Sequence, residues 1–117
     1  MIRLFAALLI QDLEHIGRIV GEGAEEATLS QVGRFLRDDT FIDKSSLDAF
    51  RALAQNDRER LMSELIWRVT CHLDGSITQI SNIHLFSLGK QFSVVQSASD
   101  GRDIFCLRWE GPLLPYS

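Results

Sequence analysis

Between residues 75 and 99 the chain carries a single charged side chain, Lys90. The rest of its 117 residues hold most of the twelve Lys and Arg and sixteen Asp and Glu, for a net charge of −4. A soluble chain with this division has to cover a nearly uncharged segment with its own charged part or with another molecule, because apolar strands without charged gatekeepers pair with other chains. The C-terminal third also has its own local character. Residues 83–88, 92–96 and 104–109 are short β-favouring runs rich in Ile, Val, Phe and Trp. Gly89-Lys90 and Ser99-Asp100-Gly101-Arg102 lie between them as turns. Connections this short predict antiparallel neighbours in a β-meander. Ile77 and Ile80, three apart, make the segment before residue 83 either a bulged strand or a helical turn. Pro112 and Pro115 predict an irregular tail over 111–117.

The preceding half has helical period instead. Ile2, Phe5, Leu9, Leu13, Ile16 and Val20 recur at steps of three and four, which predicts one amphipathic helix over 2–20. Gly21-Glu22-Gly23 supplies its stop. Thr28 followed by Gln31 matches a capping box ahead of Val32, Phe35 and Leu36. Ser45 with Asp48 is a weaker start signal, before Leu47, Phe50, Leu53 and Ala54. Asn56 with Glu59 starts a third capped run, in which Leu61, Leu65, Val69 and Leu73 repeat every four residues up to Gly75. Residues 67–73 contain Trp, Val, Thr and Cys and also admit a strand; the long capped period favours helix. Helices first and strands afterwards is an α+β pattern. The expected architecture is a single globular domain over 1–117: about four N-terminal helices (1–73) packed on a C-terminal antiparallel meander of about three strands (76–110).

Composition bounds the function classes. Apolar residues at 45% and charged residues at 24% are ordinary for a globular protein, and a chain this long buries a core without disulfides or metal. The acidic balance gives no global attraction to phosphate backbones or anionic membranes. Cys71 and Cys106 stand 35 positions apart with no CxxC, so free thiols in a reducing compartment are expected, a single disulfide being the alternative. The seven apolar residues 4–10 follow Met1-Ile2-Arg3, but Gln11, Asp12 and Glu14 come next with no cleavage site. That stretch is far short of the roughly 20 residues a membrane span needs. A cytoplasmic protein is expected.

Motifs for chemistry are scarce. Gly17, Gly21 and Gly23 follow a helical run and precede Glu25 and Glu26, so they read as a helix terminator rather than a phosphate loop. His15, His72, His84, Cys71 and Cys106 lack the tight local spacings of a metal site, and the adjacent Cys71 and His72 diverge on any regular element. A Cys–His nucleophile pair would need a stabilised thiolate. Cys71 falls late in its helix and Cys106 alternates with Ile104, so both read as structural. Asp38, Asp39 and Asp43 fall in an inter-helix connection, where Asp caps helices and solvates turns. No catalytic, cofactor-binding or metal-ligating residue is therefore expected.

A helix-turn-helix built on helices over Leu29–Arg37 and Leu47–Ala54 would have Arg34, Arg37, Lys44, Arg51 and Arg58 nearby. Its connection is longer than the usual three to four residues, and acidic residues interleave throughout. The reading that remains is a non-catalytic protein-interaction module: a small regulator, inhibitor, adaptor or chaperone-like protein. A small enzyme with a scattered site and a DNA-binding helix-turn-helix are the alternatives. The expected partners are a second copy of the chain, as a twofold dimer, and another protein; neither a membrane nor nucleic acid is expected. On the last strand Phe105, Leu107 and Trp109 alternate with Ile104, Cys106 and Arg108, and the first set belongs against the helices. The partner-binding residues are expected on the other face: Phe86, Val95, Ile104 and Arg108.

Overall fold

The N-terminal stripe does not form one helix. A computed structural model describes residues 1–21, 26–75, 82–87, 90–99 and 101–110. In it strand β1 (Ile2–Arg3) leads into the single turn α1 (Leu4–Ala7), and helix α2 (Ile10–Gly21) follows. The chain breaks at Leu8, whose φ of −77° and ψ of 151° are extended. Two tertiary interactions account for the break. β1 is drawn into the sheet, and the Ala7 carbonyl at the end of α1 accepts a 2.6 Å hydrogen bond from the Arg51 guanidinium. The predicted face is accordingly split, with Leu4 buried and Leu9 half exposed.

Helix α3 (Glu26–Asp38) already includes Thr28 in its first turn, so Thr28 is not its cap. The inter-helix connection expected at Asp38, Asp39 and Asp43 holds a strand, β2 (Thr40–Ile42). Helix α4 (Lys44–Arg51) is capped by Asp43, whose carboxylate accepts from the Ser46 N–H at 2.8 Å. That places the cap two residues before Ser45, the start expected from sequence. Helix α5 (Gln55–Leu73) takes in residues 67–73, resolving the helix–strand alternative for helix. It ends at Asp74 and Gly75, with Gly75 at φ +87°, a conformation glycine adopts without steric cost. Its N-cap is Ala54, so Asn56 and Glu59 form no capping box.

Strands β3 (Asn82–Ser87), β4 (Lys90–Ser99) and β5 (Arg102–Trp109) follow as antiparallel neighbours. The fold is α+β, with mostly N-terminal helices against a sheet. That sheet has two more strands than the meander alone, in the order β1-β2-β5-β4-β3, and β2 runs parallel to β5. The residues around Ile77 and Ile80, Gly89 and the tail 111–117 lie outside the described residues.

One sheet face and the helices share the core. Phe92, Val94, Phe105 and Leu107 are buried in one cluster with Leu61, Leu65 and Val69 of α5 and Phe50 of α4. Phe50 meets Phe92 edge-on at 6.5 Å, and Phe35 meets Phe105 at 5.1 Å, the favoured geometry for aromatic pairs. The Trp109 N–H donates to the Ser46 hydroxyl at 2.8 Å, pinning the end of β5 to α4.

Candidate interaction surface

Side chains alternate between faces along a strand, so the register settles which residues share the face turned from the core. Phe41 pairs with Arg3 on one side and Cys106 on the other; Cys106 pairs with Val95, and Val95 with Asn82. These positions form a single row across all five strands. Its centre is apolar: Phe41 and Val95 are half-buried, and Cys106 is buried. Ile104, opposite Ser97, and Arg108, opposite Ser93, flank it on the same face. Ile104 and Cys106 are buried yet stand apart from the main core cluster. Phe86 pairs with Gln91, four residues before Val95, so its register position belongs to this face; its side chain lies outside the described residues. The register therefore brings Val95, Ile104, Arg108 and the Phe86 position onto one face.

Sequence reasoning missed Phe41, Met1 and Arg3 on this surface. The Cys106 thiol donates to the Met1 thioether at 3.3 Å, which draws the N-terminus onto β5. Residues 40–42 are Thr, Phe and Ile, three β-favouring types in a row, and that was the available signal.

The sheet also has an edge. β3 closes the strand order, and among the described residues nothing pairs with its outer side. It reads Asn-Ile-His-Leu-Phe-Ser, without charge or proline. Natural proteins guard such edges with charge, proline, bulges or a cover.

The other polar clusters are committed to structure. His15 Nδ1 lies 2.8 Å from the Glu59 carboxylate, and the Gln55 side-chain amide engages Nε2. The Arg18 guanidinium also meets Nδ1, so both ring nitrogens are engaged by side chains of α2 and α5. Beside them Arg58 and Asp12 form an ion pair at 3.0 Å between α5 and α2. His72 Nε2 lies 3.3 Å from an Asp103 carboxylate oxygen, with the ring against Phe35 and Phe105. Its buried Nδ1 has no hydrogen-bond partner among the described residues, so no described hydroxyl or thiol extends the pair toward a triad. Burial raises the Cys106 thiol pKa, and Asp43 adds to this against the pull of Arg108 and the N-terminal amine. A thiol held protonated is a poor nucleophile. Among the described residues no three His, Cys, Asp or Glu gather as metal ligands.

Between α3 and α4 the chain runs through β2, hydrogen-bonded into the sheet, rather than the short turn of a helix-turn-helix. No described helix is long and apolar enough to cross a membrane. No family model, curated protein or solved structure matches this chain.

Proposed function

We propose that this protein is a non-catalytic interaction module that works through its sheet, first by pairing with a second copy of itself and then by presenting the joined surface to another protein. The observation that carries the reading is the uncharged β3 edge, whose outer side is unpaired among the described residues. An open edge of this kind is a template for strand addition, in which main-chain hydrogen bonds supply affinity and side chains supply specificity. Two copies of β3 laid antiparallel satisfy one twofold axis, the commonest symmetry of soluble oligomers. That arrangement sets the two outer faces side by side, each with its apolar row and with Arg108 exposed beside it. Val95, Ile104, Arg108 and Phe86 are the proposed partner-binding residues, joined by Phe41. The two free cysteines support a reducing, cytoplasmic setting for this work.

Light scattering on the eluting protein tests the edge. Wild type is expected at twice the chain mass, and Phe86→Lys, which places a charge on the edge strand, at the chain mass with unchanged helical circular dichroism. A wild-type chain that elutes at its single mass at tens of micromolar overturns the self-pairing.

A further inference from the structure

A cavity of about 250 Å³ opens among α1, α2 and α3, walled by apolar side chains such as Phe5, Ile16, Val20 and Leu36. Gly17, Gly21 and Gly33 complete the wall. A Cβ at any of the three would meet nothing within 4 Å. No close approach inside the protein calls for glycine at these sites, although at Gly17 and Gly33 glycine weakens a helix interior relative to alanine, Gly21 being the last residue of α2. The sequence thus leaves the space open at some cost to its own helices. One cation reaches the wall: Arg37, exposed in the last turn of α3, has no hydrogen bond or ion pair among the described residues.

Size and charge define the occupant. An apolar protein cavity of about 150 Å³ takes up benzene, so at the same density this one has room for roughly ten non-hydrogen atoms. We propose that the cavity binds a small amphiphile of that size, an apolar chain or ring bearing one carboxylate, with the chain among the helices and the carboxylate on Arg37. A guanidinium matches a carboxylate with two parallel charge-assisted hydrogen bonds, which a neutral head group does not provide. The site is on the helical layer and does not depend on the sheet-edge reading.

Titration of the full chain with octanoate, and with octanamide as the neutral comparison, tests it by calorimetry. Octanoate is expected to bind at one site per chain, about tenfold or more tighter than octanamide. Arg37→Gln should remove that preference, and because Arg37 is exposed the variant keeps its fold. Gly33→Leu and Gly17→Leu, which fill the cavity from two different helices, should each weaken both ligands at least tenfold while helical circular dichroism is retained. The proposal is overturned by octanoate that does not saturate by about 10 mM, by equal binding of octanoate and octanamide, or by octanoate binding that survives a folded cavity-filled variant.

Discussion

The Arg58–Asp12 pair joins α5 to α2 with both side chains nearly out of water, at 11% and 6% exposure. Arg58 also donates to the Leu53 carbonyl at 2.7 Å, so its guanidinium is held at two points. Breaking a buried pair by removing one partner strands the other charge and costs about 3–5 kcal/mol. Asp12→Leu should fall near ~3 kcal/mol, because Arg58 keeps its carbonyl partner. Arg58→Met strands a carboxylate and also frees the Leu53 carbonyl, so it should cost at least as much. The double variant removes both charges together and replaces them with apolar side chains of similar size. It should cost less than either single change, far below the roughly 6 kcal/mol that additivity would give. Urea denaturation followed by far-ultraviolet circular dichroism measures all four proteins, with unchanged slopes showing that the two-state treatment holds. A loss of ~3 kcal/mol corresponds to a fall in Tm of about 12 °C for a chain of this size. Single variants that each cost under about 1 kcal/mol would show that the pair behaves as a solvated surface bridge. An additive double variant would show that the two charges are not coupled at all.

Three further outcomes follow from local chemistry. Burial raises the Asp43 carboxyl, but hydrogen bonds from Ser46 and the nearby Arg108 outweigh it and set its pKa below the ordinary value. Its contribution is therefore present above the unfolded carboxyl pKa and lost as pH falls through the lowered folded one. Asp43→Ala should cost ~1 kcal/mol at neutral pH, and the gap from wild type should close in acid melts; a gap that widens in acid contradicts the capping role. Denatured, unreduced protein should titrate two thiols, and in the native state Cys71 should alkylate before Cys106, whose pKa is raised by burial; equal rates by mass spectrometry would contradict the burial. Gly17→Ala and Gly33→Ala, with open space at each Cβ, should each raise stability by roughly 0.5–1 kcal/mol in the same urea assay.

What could be read from sequence was whatever local period encodes. The four-residue repeat through Leu61, Leu65 and Val69 defined α5, and alternation on β5 separated Phe105 and Leu107 from Ile104 and Cys106. Elements fixed by distant partners were not legible. Residues 2–3 belong to a strand because residues 41–42 are there to pair with, and those in turn because β5 lies alongside, more than sixty positions later. A helical stripe drawn through Ile2 therefore ran across a strand and a break. The same long-range pairing hid Phe41, a member of the apolar row beside its central Cys106, since its place there depends on a parallel register that no local pattern announces. Alternation encodes which residues of one strand share a face, as Ile104 and Arg108 do, but bringing Val95 and the Phe86 position onto that face took the register between strands.

Small-angle scattering on the wild-type chain tests the interaction reading most directly, since it measures size without any substitution. The monomer has a Cα radius of gyration of 13.6 Å, and a compact pair of chains would have one near ~17 Å. At tens of micromolar the account predicts the larger value, falling toward the smaller on dilution or with Phe86→Lys on the β3 edge. A radius that stays near the monomer value across the whole concentration range contradicts it.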